Sequence, residues 1–154
     1  MSEQQQAAAE NNPVFNIEKL YVKDLSLEVP HAPQIFLESG DNEIGMQLHN
    51  EGEQIGDGFF EVTLTVTVTN KIGDKTVFLA EASQAGIFQI RNVDEEDMPA
   101  IIGIACPTIL FPYVREVISD VVNRAGFPPV ILSPVNFEAL FAQRMQEMET
   151  QGNA

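Results

Sequence analysis

The order of hydrophobic periods along the chain predicts an α+β protein in which an antiparallel sheet is completed before the helices begin. Three stretches carry this. Residues 59–70, FFEVTLTVTVTN, alternate Phe60, Val62, Leu64, Val66 and Val68 with Glu61, Thr63, Thr65, Thr67 and Thr69, as a strand with one buried and one wet face does. Residues 71–75, KIGDK, form a hairpin loop centred on Gly73 and Asp74 and return the chain as TVFLAEASQAGIFQI. Residues 103–126 then carry Leu110, Val114, Val117, Ile118, Val121 and Val122 at the three- and four-residue spacing of one helix face. Ile109 and Phe111 point elsewhere around the same cylinder, so this helix has more apolar surface than one small sheet covers. It is expected to pack on its own sheet with one side and on a neighbouring subunit with the other.

With 154 residues the chain fits one domain. Its apolar runs fall short of the roughly 18 residues a spanning segment needs, so no direct membrane insertion is expected. The start, MSEQQQAAAENNP, lacks the basic and apolar regions of a signal peptide, which predicts a cytoplasmic location. A single cysteine agrees, since it allows no internal disulfide. The formal net charge of −15 and a pI near 4.2 argue against nucleic acid. The eight Lys and Arg are scattered rather than clustered. Such a surface keeps a protein soluble and favours basic partners.

In chain order, residues 1–13 read as a disordered N-terminus, residues 14–148 as one domain and residues 149–154 as a disordered tail. The first strand places Phe15, Ile17, Tyr21, Leu25, Leu27 and Val29 on one parity, while Leu20 and Val22 break it and predict a bulge near the middle. Asp24, Ser26 and Glu28 face away from the core side. Pro30 and Pro33 stop the strand, and an ordered connection follows with Ile35, Phe36 and Leu37, which either tuck into the core edge or line a groove. IGMQLHN is a shorter strand, EGEQIGDG a turn. If Phe78, Ala80 and Ala82 face the core, Leu79 and Glu81 lie outside beside Asp24 and Glu28. Gly86 within a strand marks a bulge or a close approach.

The acidic run at residues 94–97 suits a helix N-terminus better than a metal loop, which needs alternating ligands, so no metal or other cofactor is expected. A short helix from residue 98 to about 105 is broken by Cys106 and Pro107, Thr108 caps the next, and Gly126 ends it. Cys106 reads as buried and structural. His31 and His49 have no partner spacing and read as surface residues. Asn136 caps a last helix with Phe137, Leu140, Phe141, Met145 and Met148 along one side.

Three stretches together, GIFQI at 86–90, CPTILFPYVREVI at 106–118 and GFPPVILSPVNFEALF at 126–141, closely resemble the SecB family of protein-export chaperones. The resemblance extends from about residue 14 to 141. It implies a four-stranded antiparallel sheet with one long helix and a shorter C-terminal helix packed on one face, assembled as a homotetramer, a dimer of dimers, with the long helix between the dimers. The corresponding interface residues are Leu110, Val114, Val117 and Val121. It implies a holdase that binds unfolded preproteins, keeps them translocation-competent and delivers them to the export ATPase SecA. The family's SecA contact falls on Asp24, Glu28, Leu79 and Glu81, and its client groove on Ile35, Phe36 and Leu37 facing Phe137, Leu140 and Phe141. Two other readings stay beside it. One is a small acidic enzyme, disfavoured because no nucleophile is assembled with a base and no catalytic residues stand out. The other is an acidic oligomeric scaffold with no client-holding activity.

Overall fold

The computed structural model describes residues 11–152. Four strands, β1 (Val14–Glu28), β2 (Asn42–Gly56), β3 (Phe59–Ile72) and β4 (Lys75–Arg91), form one antiparallel sheet in the order β1-β4-β3-β2. Two helices follow: α1, from Met98 to Arg124, and α2, Phe137–Gly152. The expected disorder of the N-terminus concerns residues 1–10, which lie outside the described residues, while 11–13 lead into β1. The expected tail beginning at residue 149 is instead the last turn of α2 up to Gly152.

β3 and β4 are the central strands, and α1 crosses over both. Val62, Leu64, Val66 and Val68 on β3 and Phe78, Ala80, Ala82, Phe88 and Ile90 on β4 share the covered face and meet Leu110, Val114, Ile118 and Val122 of α1. Alanines at 80 and 82 let the helix approach closely. Gly86 marks a close approach of strand side chains on the same face, where an added Cβ would stand 2.8 Å from Phe88 Cε2 and 3.0 Å from Leu20 Cδ2. The loop between β3 and β4 turns on Gly73 at φ 59°, the left-handed conformation that glycine adopts without strain.

β1 has two bulges, between Ile17 and Lys19 and between Val22 and Asp24. Each reverses the alternation, so the covered face takes Phe15 and Ile17, then Leu20 and Val22, then Leu25 and Leu27. Simple parity assigns Tyr21 to the core. Between the bulges it points the other way, beside Ala85. β2 continues through EGEQIG to Gly56, where a turn was expected. Its polar residues and glycines are tolerated because an edge strand has solvent along one side.

The expected break at Cys106 and Pro107 is absent. Residues Ile101–Ala105 form a π-helical segment that joins the first turn to the regular α-helix Cys106–Arg124. The wider turn makes room for the ring of Pro107, which would otherwise press on the carbonyl four residues back, and leaves one continuous helix. Thr108 is therefore inside the helix, and its hydroxyl donates to the carbonyl of Ile104 at 2.5 Å. Joined in this way, α1 is long and apolar enough to cross a membrane by length and composition. Its apolar character has another use here, because Leu110, Phe111, Val114, Ile118 and Val122 are buried within the domain. Gly126, at φ 93°, ends α1 with Phe127 N–H donating to Val122 and Gly126 N–H to Asn123. At the start of α2, Asn136 Oδ1 accepts from Ala139 N–H at 3.0 Å.

Candidate functional site

The covered face of the sheet is wider than the helix above it. α1 lies over β3 and β4, so the β2 side keeps apolar residues open: Ile44 pairs with Asn70, Met46 with Val68, and both Ile44 and Met46 are exposed. Two irregular segments rise beside this strip. The first is a 3₁₀ turn, Gln34–Leu37, entered through a cis Ala32–Pro33 bond and tied to the hairpin by Lys75 Nζ to Glu38 Oε1 at 2.6 Å. The second is the extended run from Phe127 to Ser133, where Pro128 and Pro129 exclude helix. Together they enclose an open groove of about 890 Å³ lined by Phe36, Ile44, Met46, Ile72, Phe127 and Ile131 among others. Phe36 stacks on Phe127 at 5.1 Å between centroids, and Phe127 leans on the buried Phe78 at the same distance. Gly126 leaves space for Phe36, since a Cβ there would stand 3.3 Å from its ring.

The residues expected to form a groove are split by the structure. Ile35 is buried at the base of the groove, Phe36 is 50% exposed in its wall, and Leu37, 89% exposed, lies outside it. The other half of the expected set lies elsewhere. Phe137 packs edge-on against Phe111 at 6.0 Å, Phe141 sits over Gly103 in the π segment, and Leu140 is exposed. None of the three lines the groove, which is closed by residues 127–133 instead. The stacking partner Phe127 and the floor residues Ile44 and Met46 are therefore groove residues that sequence reasoning missed. The available signal was FPPVI, a run of large apolar residues in a stretch that two prolines keep extended.

The opposite face of the sheet is acidic. Strand pairing sets Glu28 beside Leu79, Glu81 beside Ser26, and Asp24 beside Ser83, so Asp24, Glu28, Leu79 and Glu81 share the face away from α1. Thr67 Oγ1 donates to Glu81 Oε2 at 2.9 Å and fixes that carboxylate. Farther along the same face, Tyr21 reaches over the small Ala85 to donate its hydroxyl to Glu61, and Lys23 Nζ meets the other Glu61 oxygen at 2.6 Å. The Lys23 and Tyr21 donors hold the Glu61 carboxyl below its ordinary range. Burial, and then Glu61, push the Tyr21 phenol up to about 12. Glu61 thus contributes stability above the ordinary glutamate range that is lost as pH falls through its lowered pKa. Tyr21 contributes stability that is full below pH 10 and lost as pH rises toward 12. Glu61→Gln is expected to cost about 1 kcal/mol, or roughly 2–4 °C in Tm near neutral pH, and to flatten the decline of Tm in acid. Thermal melts from pH 3 to 8 check it, and an acid limb as steep as that of the unmodified protein would show that Glu61 does not drive it.

Of the residues expected at an oligomer seam, Leu110 and Val114 need correction. Both are fully buried against the chain's own sheet and have no surface left for a partner. Val117 and Val121 keep part of theirs. Val117 borders a shallow hollow with Leu20, Val22, Gln84, Pro112 and Tyr113. Cys106 is fully buried, and burial pushes its thiol up to about 12, far from a reactive thiolate at neutral pH.

An open groove lined by large apolar side chains binds by non-directional burial, which suits a protein that holds polypeptide chains rather than one that transforms a substrate. Comparison with known proteins specifies the class. The family model described as preprotein translocase subunit SecB matches residues 8–148. The chain is 63% identical over 154 residues to the protein-export protein SecB of Chromobacterium violaceum, covering all of both chains. It is 62% identical over 147 residues to that of Methylobacillus flagellatus, covering 96% of this chain and 94% of the relative. Among solved structures, a Mycobacterium tuberculosis SecB-like chaperone in complex with a peptide from an antitoxin shares the fold at a TM-score of 0.65 and 19% identity, over 85% of this chain and 95% of the other. The chain belongs to the SecB family, and it is a protein-export chaperone, not an enzyme.

Proposed function

We propose that this chaperone holds unfolded preproteins in the groove between Phe36 and Phe127, keeps them translocation-competent and passes them to SecA through the opposite sheet face. The open apolar groove carries this reading. Its volume of about 890 Å³ accommodates only a few client side chains at once. Long clients therefore call for several grooves, and the reading includes a cytoplasmic homotetramer, a dimer of dimers, with avidity across its sites. Three features support assembly: the exposed Phe15, Ile17, Val22 and Leu25 on the covered face of edge strand β1, the neighbouring exposed Tyr113, and the partly open Val117 and Val121 on α1. Leu140, Met145 and Met148 leave an apolar stripe open on α2, which extends the client surface. The direct test mixes the protein with a slow-folding preprotein diluted from denaturant. Refolding is expected to slow at equimolar tetramer, and unchanged kinetics would refute client holding.

The SecA contact is assigned to Asp24, Glu28, Leu79 and Glu81, where carboxylates surround one partly buried apolar residue and complement a basic partner segment. Reversing the charge at Asp24 and Glu81 together is expected to weaken SecA binding at least tenfold, since two rim charges change sign, while client binding stays within twofold. Titrations of SecA and of a denatured client against the double variant check this. Equal loss of both would mean that the two faces are not separate sites.

A further inference from the structure

We propose that Glu61 is a positioning residue for the outer docking face: it draws the Lys23 ammonium across β4 toward β3 and so leaves Asp24 open to a basic partner segment. The inference rests on the assignment of that face to SecA above. The bulge between Val22 and Asp24 inserts Lys23 as an extra residue in β1. Two consecutive residues therefore share the face away from α1: Asp24 pairs with Ser83, and Lys23 Nζ meets Glu61 Oε1 at 2.6 Å. The bulge thus sets a cation beside a docking carboxylate. Among the described residues, neither Asp24 nor Glu28 has an ion-pair partner.

A lysine and an aspartate at neighbouring positions of one face attract each other when no better acceptor is near. Such a pair would cancel the charge that a basic segment needs. Glu61 is the better acceptor. Its side chain is only 15% exposed, so an ion pair there is screened less than one in open solvent. Tyr21, turned to the same face between the two bulges, donates its hydroxyl to Glu61 Oε2 and fixes the carboxylate with Oε1 toward Lys23. Glu61, and then Glu53 and Glu51, push the Lys23 ammonium above its ordinary range, all from the β3 and β2 side. The side chain is drawn away from Asp24.

The test is a mutant cycle read by titrating SecA against the full-length protein. Asp24→Asn alone is expected to weaken SecA binding about threefold, the worth of one exposed ion pair. Glu61→Gln is expected to cost about the same, because Lys23 then turns to Asp24. Adding Asp24→Asn to Glu61→Gln is expected to lower affinity further by no more than about 1.5-fold, since that carboxylate is already taken. Lys23→Gln on top of Glu61→Gln is expected to restore both the affinity and the response to Asp24→Asn. Removing a lysine would not repair the loss of a merely structural glutamate. Melts of each variant establish that it folds. Losses that multiply to about ninefold in the Asp24, Glu61 double variant, or no recovery with Lys23→Gln, would overturn the proposal. Unchanged SecA binding in Asp24→Asn alone rejects the docking assignment and the role of Glu61 with it, whereas a loss there that multiplies with Glu61→Gln rejects only the role of Glu61.

Discussion

Phe36→Asp is expected to abolish client holding and leave the fold intact. Phe36 is half exposed, stacked on Phe127 and seated against Gly126, so its ring belongs to the groove wall more than to the core. Covering the exposed half of the Phe36 ring with a client contributes about 0.8–1.5 kcal/mol, roughly four- to twelvefold in affinity. An aspartate there removes that contribution and sets an ion against apolar client side chains, which adds a desolvation cost. The folded domain feels much less, because an exposed carboxylate keeps its water and Ile35, the buried member of the same turn, is untouched. Refolding of a slow-folding preprotein is expected to proceed as though no chaperone were present, with a circular dichroism spectrum like that of the unmodified protein. Holding that persists in this variant would move the client site off the groove.

Val114→Asp and Val117→Asp are expected to fail in different ways although they lie on the same helix. Val114 is completely enclosed between α1 and the sheet. An unpaired carboxylate there costs on the order of 4–5 kcal/mol or more, a large share of the 5–15 kcal/mol that holds a domain together, so the variant is expected to unfold or to melt well below the unmodified protein. Val117 is only partly covered and borders the hollow beside Leu20, Val22 and Tyr113, where a charge can stay hydrated in the isolated chain. Val117→Asp is expected to keep its secondary structure and lose native mass, since a second copy would have to desolvate the carboxylate. Native mass and circular dichroism on both variants resolve the two effects. A Val117→Asp tetramer of normal stability would remove this hollow from the seam.

The elements that could be read directly were those governed by local chemistry. The alternation from Phe60 to Val68, the turn at Gly73 and Asp74, the termination at Gly126 and the cap at Asn136 each depend on a few consecutive residues. The errors had longer-range causes. The two bulges of β1 return Leu20 and Val22 to the covered face, but a bulge is fixed by pairing with β4, so parity alone misassigned Tyr21. Pro107 looks like a helix breaker until the π segment before it gives its ring space, and that segment packs under Phe141 and accepts a hydrogen bond from Asn50 at 3.0 Å. EGEQIG resembles a turn by composition and is strand because β3 offers it a partner.

The candidate site divides along the same line. Asp24, Glu28, Leu79 and Glu81 could be placed on one face because sheet alternation has a period of two and their strands are adjacent. The pairing of Phe36 with Phe127 could not be, since 91 positions separate them and only the docking of α1 on the sheet brings the 3₁₀ turn against the segment after Gly126. The sequence by itself determined the α+β order of elements, the acidic outer face and the chaperone family. Only the tertiary structure decided which apolar residues remain open: burial is a property of the assembled surface, and identical valines on α1 are sealed at 114 and partly free at 117 according to what lies beneath them.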